Sequence, residues 1–229
     1  MISVENLSKI YSLGRVKVRA LDDVSMDISE GEMIGVMDKS GSGKSTLLRQ
    51  LGLIDWPTTG KIMMDYQDIT NLPENRRSRL RLSRLGYIFQ EYALLPELTA
   101  QENVCLPAMM LGKKRKQYHA HSLQLLELVG LKDRITHRPR ELSGGEQQRV
   151  AIARSLVNNP EIIFADEPCA NLDSVASEVV METLARLNKE LKVTVVFVSH
   201  DPDDKKYAKK LIFLKDGKIV PKYLNLSSK

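Results

Sequence analysis

The chain has 229 residues, 42% of them hydrophobic and 28% charged, the proportions of one sizeable globular domain or of a core with an inserted subdomain. No run approaches the roughly 18 apolar residues a membrane helix needs, and residues 1–9 lack the basic start and apolar middle of a secretion signal, so the protein is expected to stay on the side of the membrane where it is made. The 34 Lys and Arg against 29 Asp and Glu leave a charge of +5, too mild to name a partner, and Cys105 and Cys169, without metal-ligand or CxxC spacing, are expected as free thiols.

In chain order, short strands are predicted at residues 2–7, 24–28 and 32–37, with Ser29-Glu30-Gly31 as the turn between the last two. They deliver the chain to a glycine-rich loop. From Lys44 the spacing of Leu47, Leu48 and Leu51 predicts a helix that ends near Gly52 and before Pro57. Residues 61–64 and 86–89 read as two further strands, separated by an arginine-rich segment at 76–84. After Gln90 the period becomes helical, at 102–111, 117–129 and 146–157. This gives one domain over 1–229, with β and core parts at 1–90 and 159–229 and a helical insertion at about 91–158. The runs at 161–165 and 193–199 are continuously apolar, as in strands buried on both faces, and a helix is predicted between them at 175–190. Residues 211–214 and 218–220 flank Lys215-Asp216-Gly217 as a closing hairpin.

Three stretches carry chemistry. Ser40-Gly41-Ser42-Gly43-Lys44-Ser45-Thr46 follows a buried strand and opens a helix, so its backbone N–H groups have no internal partner and the helix dipole adds positive charge at the same point. Phosphate fits there, with Lys44 reaching the terminal phosphates of ATP and the Ser45 hydroxyl ligating Mg²⁺. This P-loop pattern calls for glycine where the chain has Asp38, whose charge is expected to weaken nucleotide binding without abolishing it. Ile162-Ile163-Phe164-Ala165-Asp166-Glu167 places two carboxylates at the end of a buried strand, Asp166 for the Mg²⁺ shell and Glu167 to polarise the attacking water. Between them Leu142-Ser143-Gly144-Gly145-Glu146-Gln147-Gln148-Arg149 starts another helix with an amide-lined tip.

That last stretch resembles the signature of ATP-binding cassette (ABC) ATPases. The resemblance covers nearly the whole chain and implies a RecA-like P-loop α/β core with an antiparallel β subdomain and an inserted helical subdomain. It implies a homodimer around two Mg-ATP, in which Ser143, Gly144 and Gly145 of one subunit cap the nucleotide held by the other. It places Tyr11 against adenine, although an isolated tyrosine near a strand end is more often a packing residue. It makes Gln90 the Mg²⁺-sensing glutamine, Asp173 of Asn171-Leu172-Asp173 a contact across the dimer interface, and His200 the histidine that meets the terminal phosphate. Without membrane segments, the chain is expected to work with a separate transmembrane permease, contacted near Gln90 and the helical insertion, on the cytoplasmic side of the membrane.

Val18-Arg19-Ala20-Leu21-Asp22-Asp23-Val24-Ser25, Leu98-Thr99-Ala100-Gln101-Glu102-Asn103-Val104 and Leu106-Pro107 resemble the macrolide-export and lipoprotein-release branch, a group that also holds peptide-antibiotic resistance transporters and a cell-division ATPase. Rival readings are an ABC protein acting on ribosomes or DNA, and a regulatory module that binds ATP and barely hydrolyses it. The chain has one cassette and neither the long coiled coils nor the zinc modules of the nucleic-acid members, so no direct nucleic-acid contact is expected. The basic stretches Arg76, Arg77, Arg79, Arg81, Arg84 and Lys113-Lys114-Arg115-Lys116 suit anionic lipid or nucleic acid, but such runs are more often solvated surface.

Overall fold

The computed structural model describes residues 1–220. A long antiparallel hairpin, β1 (Ile2–Leu13) against β2 (Val16–Ile28), leads into β3 (Met33–Met37), and the loop after β3 runs directly into α1 (Lys44–Leu51). β4 (Thr59–Met64) and the short β5 (Gln67–Asp68) return to the hairpin, completing a four-stranded sheet of order β2-β1-β4-β5. The strands expected at 2–7 and 24–28 are therefore much longer. Their outer halves pair in register, Tyr11 with Val18 and Ser12 with Lys17, yet Val16 and Val18 are 61% and 45% exposed. Backbone hydrogen bonds rather than a buried face hold this part, so it carries none of the alternation by which a strand is read.

The arginine-rich segment is a helix, α2 (Glu74–Arg84), followed at once by β6 (Leu85–Ile88). Arg77 is its only buried residue, and arginines do the anchoring that apolar residues do elsewhere. Arg77 donates to the Asp55 carbonyl at 2.6 Å, with its guanidinium 4.1 Å from the Trp56 ring centroid, and Arg81 donates to the Leu53 carbonyl at 2.7 Å. Arg84 pairs with Asp65 and Glu161. The expectation of a plain solvated run fails for these three because the planar donors of Arg77 and Arg81 satisfy carbonyls left free in neighbouring loops, and Arg84 is held by two carboxylates.

α3 (Ala100–Met110), α4 (Arg115–Leu128) and α5 (Gly144–Leu156) follow, before β7 (Ile162–Asp166), α6 (Ser174–Leu191), β8 (Thr194–Ser199), β9 (Lys210–Lys215) and β10 (Lys218–Val220). Thr99 caps α3 in a capping box with Glu102, and Ser143 caps α5 in one with Glu146. The second sheet has order β10-β9-β3-β8-β7-β6, parallel except for the β9–β10 hairpin.

Alternation along these strands divides the apolar residues between two cores. Ile34, Val36, Ile162, Phe164, Val196 and Val198 face α1 and the antiparallel sheet. Met33, Ile163, Ala165, Val195, Phe197 and Leu211 face the other way, into one continuous core with α3, α4, α5 and α6. α1 is thus clamped between two sheets, and the helical segment is welded to the opposite face. Among the described residues no helix is long and apolar enough to cross a membrane.

Candidate functional site

The carboxyl ends of β3 and β7, where ligands of parallel sheets collect, are neighbours of β8 on either side, so the sheet order brings the glycine loop and the carboxylates together. Gly43 is the N-cap of α1 at φ 104°, and a Cβ there would lie 2.3 Å from the Ala20 carbonyl oxygen. Only glycine satisfies both demands. The cap has no side-chain hydrogen bond, leaving the first-turn amides open to an anion. Lys44 is 3% exposed, donating to the carbonyls of Asp38 at 2.8 Å and Lys39 at 3.0 Å, and its ammonium lies 3.8 Å from Glu167 Oε1. Asp38 sits at φ 157°, near the limit of the range glycine favours, with its carboxylate accepting from the Lys39 amide at 2.7 Å.

Across the cleft, the Ser45 hydroxyl donates to Asp166 Oδ1 at 2.7 Å. The second Asp166 oxygen accepts from Tyr87 at 3.3 Å, and burial pushes that phenol well above its ordinary range, so it stays a donor. Glu167 adopts the left-handed region at φ 45°, its amide held by the Val198 carbonyl at 3.1 Å, and its Oε2 lies 3.1 Å from His200 Nδ1. A non-glycine residue held at positive φ is a strained position of the kind found at working sites. Ser40, Gly41, Gly43, Lys44, Ser45, Thr46, Gln90 and Glu167 line a cleft of about 450 Å³, and His200 lines the adjoining depression that shares Glu167. Ser42 is buried with its hydroxyl unpartnered. The donor set of hydroxyl, carboxylate and carboxamide is all oxygen, as Mg²⁺ prefers, and no cluster of three or more acidic, His or Cys ligands exists among the described residues. The remaining positions suit phosphate oxygens and water, which fits an ion that arrives with its nucleotide.

Other expected residues lie outside this cleft. Ser143, Gly144 and Gly145 do not line it. A Cβ on Gly144 would stand 2.9 Å from the Tyr92 hydroxyl and 3.1 Å from Leu172 Cδ2, and one on Gly145 would stand 3.1 Å from Ala176 Cβ, so Gly144 packs tightly against the residues before α6 and Gly145 against its first turn. Asp173 caps α6, accepting from the Ala176 amide at 2.8 Å. Tyr11 lies to one side, with its hydroxyl on Asp55 Oδ2 at 2.8 Å.

Several contacts have no sequence signal: Tyr87 on Asp166, Asn171 Nδ2 donating to the Gln90 carbonyl at 3.3 Å, and buried Gln148 donating to the Pro168 carbonyl at 2.8 Å. Arg154 is a further one, donating to the Tyr92 and Ala93 carbonyls with its pKa lowered by burial to about 10. Each joins residues distant along the chain. Both cysteines are free, and burial pushes the Cys169 thiol up to about 12.

A family model described as ABC transporter matches residues 21–170. An uncharacterized ABC transporter ATP-binding protein of Methanocaldococcus jannaschii, MJ1508, is 48% identical over 96% of this chain and 98% of its own length. The macrolide export ATP-binding/permease protein MacB of Syntrophobacter fumaroxidans is 41% identical over 96% of this chain, a span equal to 31% of MacB. Among solved structures, the ATP-binding cassette MJ0796, dimeric in a post-hydrolysis state bound to ADP and Pi, matches with a TM-score of 0.91 at 38% identity, covering 100% of both chains.

Proposed function

Because this chain belongs to the ABC transporter family, as an ATP-binding subunit that hydrolyses ATP with Mg²⁺, we propose that two copies close head to tail around two nucleotides and so drive a separate permease. One observation carries this reading: the glycine loop, Asp166, Glu167 and His200 meet within one chain, while the amide-lined start of α5 lies outside their cleft. A second copy supplies Ser143, Gly144 and Gly145, and Asp173 meets the facing subunit. The amides of residues 41–46 hold phosphate oxygens, Ser40 and Ser42 shape the loop, and Lys44 exchanges its two carbonyl acceptors for the terminal phosphates. Ser45, Gln90 and Asp166 hold Mg²⁺, which when bound neutralises charge on the phosphate oxygens. Glu167 takes or orients the proton of the attacking water, and His200, hydrogen-bonded to that carboxylate, fixes its direction and reaches the terminal phosphate. Tyr11 supports the adenine.

The permease contact is supported by a second cleft of about 420 Å³ between α2, β6 and α3, lined by Ile54, Tyr87, Phe89, Pro107 and Met110. Phe89 and Met110 are 40% and 71% exposed, and Phe89 directly precedes Gln90, so an occupant of this cleft bears on the Mg²⁺ side of the site. The name of the MacB relative, macrolide export ATP-binding/permease protein, supports an export permease; drugs, peptides or lipoproteins are the proposed cargo classes, and the proposed place of the subunit is peripheral on the cytoplasmic face. Purification of the chain with its native partners tests this. The expected result is a stoichiometric complex with a multispanning membrane protein whose presence changes ATP turnover; recovery with ribosomes or DNA instead overturns it.

A further inference from the structure

The tyrosine assigned to the nucleotide base is tethered. Its hydroxyl donates to Asp55 Oδ2 at 2.8 Å. Lys9, two residues earlier on β1 and so on the same face, donates to Asp55 Oδ1 at 2.9 Å and to the Trp56 carbonyl at 2.6 Å. Its ammonium also sits 4.8 Å from the Tyr11 ring centroid. One face of the ring thus carries a cation, which leaves the opposite face for stacking. Asp55 is itself immobilised, because its Oδ1 accepts from the Trp56 amide at 2.7 Å and its carbonyl accepts from buried Arg77 at 2.6 Å.

We propose that Asp55, with Lys9, is a positioning residue for the nucleotide base: its carboxylate holds the Tyr11 hydroxyl and thereby sets the ring in one orientation beside the phosphate cleft. The proposal rests on the reading of Tyr11 given above and adds to it the group that fixes the ring. An untethered, half-exposed tyrosine samples several rotamers and must be ordered when the base arrives; a tethered one is ordered beforehand, so binding loses less entropy. Asp55 forms no hydrogen bond with Lys44, Ser45, Asp166 or Glu167, so its effect falls on binding of the base and not on phosphoryl chemistry.

The test measures kcat and KM for ATP, together with the competitive inhibition constant of tripolyphosphate, which has no base. Asp55→Ala is expected to raise KM roughly three- to tenfold, the range of one hydrogen bond, with kcat within about twofold and tripolyphosphate inhibition unchanged. Tyr11→Phe keeps the ring and removes only the tether, so it should reproduce that rise, and the double variant should add nothing. If Tyr11→Ala raises KM while Asp55→Ala and Tyr11→Phe do not, the positioning role is overturned and the base-supporting role of Tyr11 stands. If Tyr11→Ala changes nothing, the reading of Tyr11 falls and takes this proposal with it. A parallel weakening of tripolyphosphate inhibition in Tyr11→Phe, the mildest variant, means that the phosphate loop itself has shifted, which also overturns it.

Discussion

At the start of α1, Gly43 offers no side chain and the first-turn amides point into a cleft, whereas at the start of α5 Ser143 and Glu146 satisfy each other's backbone donors in a closed box. The first helix tip is unfinished and surrounded by its chemistry: Lys44 folded back onto two carbonyls, Ser45 on Asp166, Glu167 on His200. The second is finished, exposed at Ser143, and turned away from that chemistry. An open tip beside its own reactive groups binds ligand by itself. A self-capped tip is stable without ligand and, lying outside its own chain's cleft, is free to face another molecule, so the contrast supports the proposed division between binding within a subunit and catalysis between subunits.

The sharpest way to break that division is Glu167→Gln, for which turnover should fall by about 10²–10⁴, the range of a general base, while nucleotide binding persists and ATP drives the chain into a dimer by size-exclusion chromatography. Retained turnover would remove Glu167 from the mechanism. Next comes dilution of the wild-type subunit: below the dimer dissociation constant, a tenfold dilution should cut activity per chain by up to about tenfold, because occupancy follows mass action. Activity per chain independent of concentration would mean that a single copy suffices.

Ser143→Asp separates the two roles of the second tip. Aspartate caps helices as well as serine, so stability should change by less than about 0.5 kcal/mol in thermal unfolding, yet a negative charge facing the second copy's phosphate should lower turnover at least roughly tenfold. Equal losses in both would assign Ser143 to folding alone. The smallest effect concerns Asp38→Gly. The Asp38 carboxylate is already occupied by the Lys39 amide, so removing it should tighten ATP binding by only about two- to fivefold, measured by titration; unchanged affinity shows that the aspartate carries no penalty.

The succession along the chain of the parallel strands and of α1, α3, α4, α5 and α6 was readable because buried strands are almost wholly apolar, as at residues 162–166 and 194–199, and these five helices keep their period. The glycine loop and the Asp166-Glu167 pair were readable because their chemistry is local in sequence. What could not be read is cross-chain. The outer half of the β1–β2 hairpin has no buried face, α2 is anchored by arginines whose acceptors lie in other loops, and Asp55 gains its tether only when residues 9, 11, 55 and 77 meet. Likewise, Gly144 and Gly145 read as ligand-approach glycines, but they also pack tightly within the chain, against Tyr92 and Ala176.

Trp56 is the one tryptophan in the sequence, 43% exposed and stacked under the Arg77 guanidinium. Its carbonyl holds Lys9, and its neighbour Asp55 holds Tyr11. The unlabelled protein therefore contains a single indole fluorophore joined through Lys9 and Asp55 to Tyr11, the residue proposed to support the base, and its emission is expected to change when nucleotide binds there.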